Sequence, residues 1–119
     1  MQKSPKNEYI PEQQDIILID FDPSLGHEIQ KRRPALVMSN QGYSKLTSLV
    51  VVCPITHALH NQFRNTPFFI PINQDSIDGY INSLQFFSYD FRKRHAELLT
   101  VLDTPSFFQV KQTILDILN

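Results

Sequence analysis

Residues 48–55, Ser-Leu-Val-Val-Val-Cys-Pro-Ile, decide the fold class. The run is strongly apolar, dense in β-branched side chains and too short for a lone helix, so it reads as a strand. Thr56 follows, and residues 57–66 turn polar and loop-like. Upstream, residues 35–39 (ALVMS) form a second apolar strand, entered through Arg33-Pro34 and closed by Asn40-Gln41-Gly42, with a short turn or helical piece to Leu46. Further back, residues 15–21 (DIILIDF) are a first strand, broken by Asp22-Pro23-Ser24-Leu25-Gly26, since proline fixes φ and glycine permits sharp turns. Polar residues 27–33 between them read as a mobile loop.

Downstream, residues 67–72 (PFFIPI) predict an edge strand, because their prolines cannot donate to a ladder. Residues 75–79 read as a turn, 80–88 as extended, 90–94 as a charged turn and 97–102 (ELLTVL) as the last strand. The period then changes. Thr104 suits an N-cap and Pro105 the first helical position, while Phe107, Val110, Ile114 and Ile117 recur every three or four residues. The predicted class is mainly β with minor α: an SH3-like small barrel of five to seven strands with a C-terminal helix. Residues 1–13 are polar, with Pro5 and Pro11, and are expected to be a flexible lead-in to one domain over 14–119.

With 41% hydrophobic and 19% charged residues, the 119-residue chain has the composition of a folded protein with one modest core. Pairing is a common route to stability at this size, so a homodimer is expected. No apolar run is long enough to span a bilayer, and residues 1–12 lack the apolar centre of a secretory leader. Cys53 is the one cysteine, so there is no disulfide framework, and a cytoplasmic location is expected. A net charge of −1 excludes a bulk polyelectrolyte binder. Six of the eleven Lys and Arg residues nevertheless fall in two triplets, Lys31-Arg32-Arg33 and Arg92-Lys93-Arg94, compact enough to hold a few phosphates. A basic triplet is also what a solvated turn looks like.

Two constellations invite a chemical reading. Glu28 and Arg33 sit before the second strand and Thr56 at the end of the third, so neighbouring strands can bring them to one rim. A guanidinium fork matches phosphate oxygens and a threonine hydroxyl donates to the same group. On spacing alone, a surface arginine and a strand-end threonine are the better reading of these residues. His57-x-x-His60 with Cys53 nearby has metal-like spacing, but Cys53 lies in an apolar strand and no second cysteine or carboxylate completes a tetrahedral set, so the metal reading is rejected.

The wider pattern resembles the MazF/PemK family of toxin endoribonucleases. The matching pieces are Asp15-Ile16 leading into Asp20-Phe21-Asp22-Pro23, then Gly26 and Glu28, then residues 33–39 (RPALVMS), then Pro54-Ile55-Thr56, Pro67-Phe68, Gly79, and Gln85 followed by Arg92-Lys93-Arg94. They follow the family's order over roughly residues 14–118. The resemblance implies a toxin of a type II toxin–antitoxin system: a sequence-selective, metal-independent endoribonuclease that cleaves single-stranded mRNA and needs no cofactor. It implies Arg33 and Thr56 as active-site residues, an acidic antitoxin as partner, and a homodimer. Cleavage would proceed by attack of the 2′-hydroxyl on the adjacent phosphate, leaving 2′,3′-cyclic phosphate and 5′-hydroxyl ends. Arg33 suits stabilisation of the phosphorane charge better than proton abstraction, because arginine stays protonated. Glu28 is the chemically easier base, with His27 a second candidate.

Expected RNA-binding residues are His27, Lys31, Arg32, Ser39, Arg64, Gln85, Arg92 and Arg94, with Phe63, Phe86, Phe87 and Tyr89 as candidate stacking surfaces. Two departures from the family pattern stand out: Gln14 replaces the usual glycine before Asp15-Ile16, and Leu84 precedes Gln85 where many members carry aspartate. Two other readings stay open at this point. One is a non-catalytic toxin on the same barrel that poisons a topoisomerase. The other is a degenerate RNA-binding member, for which Leu84 is the best argument.

Overall fold

A computed structural model describes residues 8–21, 32–57 and 61–119. Seven strands form one curled sheet in the order β4-β5-β3-β2-β1-β7, with β6 also paired to β3. The elements are β1 (Asp15–Asp20), β2 (Arg32–Val37), α1 (Gln41–Thr47), β3 (Leu49–Thr56), β4 (Phe69–Gln74), β5 (Ile77–Asn82), β6 (Phe87–Asp90), β7 (Glu97–Val101) and α2 (Thr104–Leu118). The mainly-β expectation and the C-terminal helix hold. As expected from its prolines, β4 lies at a sheet edge.

Because side chains alternate across a strand, the sheet buries two apolar layers. One holds Ile16, Leu36, Cys53, Ile55, Ile70 and Ile81, covered by Phe107 and Val110 of α2. The other holds Ile17, Ile19, Ala35, Val37, Val50, Val52 and Phe91, with Phe21, Phe87 and Tyr89 packed against it. Each buried isoleucine or valine contributes about 1.5–3 kcal/mol relative to exposure, so β3, which feeds both layers, anchors the molecule.

Several local expectations shift. The hairpin turn is Asp75-Ser76 alone, with φ of 49° and 68° at the two residues, the handedness that suits a two-residue hairpin. Gly79 therefore belongs to β5, paired with Ile72. The expected extended stretch 80–88 is broken between Asn82 and Phe87. Asp103, not Thr104, caps α2; its carboxylate accepts from the Ser106 N–H at 3.0 Å, and a negative charge there also suits the helix dipole. Within the expected lead-in, Tyr9 and Ile10 pack against the second layer, and the Tyr9 hydroxyl donates to the Asp15 carboxylate. An apolar anchor just upstream of β1 thus holds residues whose neighbours are polar.

Candidate active site

β3 changes partner along its length. Leu49–Val52 pair with β6, whereas Ile55 and Thr56 pair with Ile81 and Tyr80 of β5. On its other side the ladder to β2 ends at Ala35↔Pro54. Backbone direction explains both breaks. Met38 N–H donates to the Val51 carbonyl, so even-numbered residues of β2 and odd-numbered residues of β3 point at each other. The N–H that Pro34 lacks is therefore the one that would reach Ile55. The N–H that Pro54 lacks would point to the opposite side, where β6 has ended and β5 begins. Two prolines open the sheet on either side of one short segment.

Continuing the Ala35↔Pro54 register by two residues sets Arg33 across from Thr56, on the face that carries Ala35, Val52 and Pro54. Around them is an open pocket of about 350 Å³ lined by Phe21, Arg33, Pro54, Ile55, Thr56, Asn61, Asn82, Gln85 and Phe87. Arg33, Ile55 and Thr56 also line a smaller hollow with Pro34, His57 and Asp78. The sequence-predicted Arg33, Thr56 and Gln85 thus come together. Gly79 makes this possible: a Cβ there would sit 2.7 Å from the Thr56 carbonyl oxygen, and its φ of +135° disfavours any side chain.

The other expected RNA contacts are placed differently. Arg32 bonds the Asp20 carboxylate at 2.8 Å, Glu97 at 3.1 Å and the His95 carbonyl. Arg92 pairs with Glu8 and reaches Ser48. Arg94 donates to the carbonyls of Asp20 and Phe21 and lies over the Tyr89 ring, so it braces the pocket wall from behind. The Ser39 hydroxyl accepts from the Val51 N–H beside β3. Arg64 sits in the 61–66 turn region, outside the pocket lining. Glu28, His27 and Lys31 lie outside the described residues, as does His60 of the rejected metal motif.

Of the candidate stacking rings, Phe87 lines the pocket, edge-on to Phe21 and stacked on Tyr89. Phe86 faces a separate apolar groove with Met38 and Ile114. Phe63 is exposed in the loop. Burial pushes the Cys53 thiol up to about 12, so it stays protonated and chemically quiet. Sequence reasoning missed Asn61, Asn82 and Phe21 as pocket residues. No motif in the sequence marks either asparagine.

Residues 12–118 match the family described as PemK-like, MazF-like toxin of type II toxin–antitoxin system. The chain belongs to this toxin family. The Escherichia coli (strain K12) endoribonuclease toxin MazF is 33% identical over 88 residues, which is 74% of this chain and 76% of that protein. The crystal structure of MazF from Deinococcus radiodurans superimposes with a TM-score of 0.78 at 28% identity, covering 93% of this chain and 98% of that one. A MazE–MazF structure from the same organism gives 0.81 at 28% identity, covering 93% and 97%. The family match spans both the strands that carry Arg33 and Thr56 and the helix α2. It does not favour a topoisomerase-binding toxin.

Proposed function

We propose that this MazF-like toxin cleaves single-stranded mRNA in the cytoplasm, using Arg33 and Thr56 at the mouth of the opened sheet. The carrying observation is the state of the arginines. Arg32, Arg92 and Arg94 are committed to carboxylates or carbonyls of the fold, whereas the Arg33 side chain lines the pocket with no hydrogen bond or ion pair to any described residue. An exposed guanidinium held on a strand, in a pocket whose described lining includes no carboxylate, is suited to an anion.

In the reaction, the 2′-oxygen bonds to phosphorus and the bond from phosphorus to the 5′-oxygen breaks. The 2′-hydroxyl proton passes to a base, and the departing 5′-oxygen gains a proton. Arg33 donates to the nonbridging oxygens as charge accumulates on them, and the Thr56 hydroxyl donates to the same group. Glu28, with His27 second, is the residue assigned to take the proton. DNA is excluded because it lacks the nucleophile. The similarity to MazE–MazF complexes supports an acidic antitoxin as the inhibiting partner. Exposed Phe108, Leu115 and Leu118 on α2 supply an apolar surface for a homodimer. Among the described residues, no helix is long and apolar enough to cross a membrane.

The test is to incubate the protein with mixed-sequence RNA in EDTA and map the ends. The expected result is cleavage that persists under chelation, with 5′-hydroxyl downstream fragments. Intact RNA, or activity lost on chelation, overturns the reading.

A further inference from the structure

The pocket beside Arg33 contains two carboxamides whose orientation is fixed by backbone donors. The Leu84 N–H donates to the Asn82 side chain at 2.9 Å, so the atom facing it must be the carbonyl Oδ1. The other end of that group is then an NH2, which donates to Gln85 at 3.1 Å; the Gln85 atom receiving it must be Oε1. Gln85 is left with its own NH2 outermost, and that group has no partner among the described residues. Asn82 is 6% exposed, so water offers little competition for this relay. Asn61 is set in the same way. The Phe63 N–H donates to its Oδ1 at 2.8 Å, leaving its NH2 as the outer end. Asn61, Gln85 and Arg33 line one pocket with Phe21 and Phe87, and each presents donors.

Building on the ribonuclease reading above, we propose that this pocket holds the base adjoining the scissile phosphate. It selects keto bases, uracil or guanine, over adenine and cytosine. Gln85 reads the base and Asn82 is the positioning residue that sets which end of Gln85 faces it. Uracil and guanine present carbonyl oxygens where cytosine and adenine present exocyclic amino groups. Against a ring of donors, an amino group meets another N–H and leaves both donors unsatisfied once the base covers them. Phe87 and Phe21 supply the aromatic walls, which hold any base and discriminate little. Leu84 is consistent with this, because an aspartate at that position would add an acceptor and a charge beside the donor set.

The experiment sequences the cleavage ends produced from a random RNA pool. The wild type is expected to enrich uracil or guanine at least tenfold at one position flanking the cut. Asn82→Asp keeps the acceptor for Leu84 but offers Gln85 a carboxylate, which turns its NH2 inward and its carbonyl outward. Enrichment is then expected to move to adenine or cytosine at the same position, while the melting curve shows a folded protein. A packing role for Asn82 would lower the rate without reversing the base. Gln85→Glu, at an exposed position, makes the same reversal available if Asn82→Asp does not fold. No base preference in the wild type, a preference for amino bases, or an unchanged pattern in the folded variants would overturn the proposal. If the wild type cleaves nothing, the ribonuclease reading falls separately. Base selectivity is then read by NMR titration with uridine and adenosine 3′-monophosphates, where equal affinities overturn it and at least fivefold tighter uridine binding supports it.

Discussion

The backbone of Gly79 lies so close to Thr56 that a single added Cβ would come within 2.7 Å of the Thr56 carbonyl oxygen. That contact is backbone against atom, with no flexible side chain to yield. Gly79→Ala must therefore push β5 from the end of β3 or strain its own φ of +135°. The expected cost is about 1–3 kcal/mol, with RNA cleavage reduced more than the melting shift accounts for, because the displaced residue is Thr56. Denaturant titration and a cleavage assay on the same sample check this. A variant as stable and active as wild type would show that the strands have room to spare.

The Arg33 side chain makes no bond within the described fold, so its removal should leave stability almost untouched. Arg33→Lys keeps the charge and loses the planar fork. Cleavage is expected to fall roughly 10²–10³-fold, the range seen when one preorganised donor to a developing charge is lost. Thr56→Val should cost less, about tenfold or more, since it removes one hydroxyl donor. Both are read as single-turnover rates on a short RNA with melting temperatures alongside. Retention of full rate by Arg33→Lys would remove Arg33 from the transition state.

The strands are legible because β3 and its neighbours carry runs of β-branched residues that suit little else. The pairing of Arg33 with Thr56 is suggested by resemblance and becomes geometry only with the register of β2 on β3. What escapes the sequence is mostly partnership. Arg32 and Arg33 are adjacent and chemically identical, yet alternation along β2 sends one to Asp20 and the other to the pocket. The basic triplet at 92–94 likewise dissolves into an ion pair with Glu8 and a brace on Phe21. Asn82 and Asn61 are invisible as site residues because their role depends on which backbone N–H each one meets.

Asp20 predicts a specific acid response. Burial raises its carboxyl, but hydrogen bonds from His95 and Arg32, with their charges, outweigh that and hold it below the ordinary value of 3.8. The carboxylate can only accept, so the His95 Nδ1 carries the proton in the 2.7 Å contact. A carboxyl lowered in the folded state stabilises it above the unfolded value and loses that contribution as pH falls through the folded one. Asp20→Asn should therefore melt a few degrees below wild type at pH 7, with the gap closing below about pH 3.8. Melting curves from pH 7 to pH 2 test it, and a gap that stays constant would assign the effect to packing alone.

Pro34 gives the sharpest test of why the sheet opens where it does. Its missing N–H faces the Ile55 carbonyl, one step beyond the last paired residues, Ala35 and Pro54. Pro34→Val restores the donor with a side chain suited to a strand. The new bond is worth about 0.5–1.5 kcal/mol, while the more flexible unfolded chain gives back about 0.4–1 kcal/mol. The two nearly cancel, so little change in stability is expected. Function should respond instead. Pairing of residue 34 with Ile55 draws Arg33 toward Thr56 and narrows the space a phosphate must enter, lowering kcat/KM roughly tenfold, as expected when a reacting group is displaced by a fraction of its reach. Hydrogen exchange decides whether the bond forms, through slow exchange of the amide that the substitution introduces at position 34. A protected amide with wild-type kcat/KM would mean that the opening between β2 and β3 is not what admits the substrate.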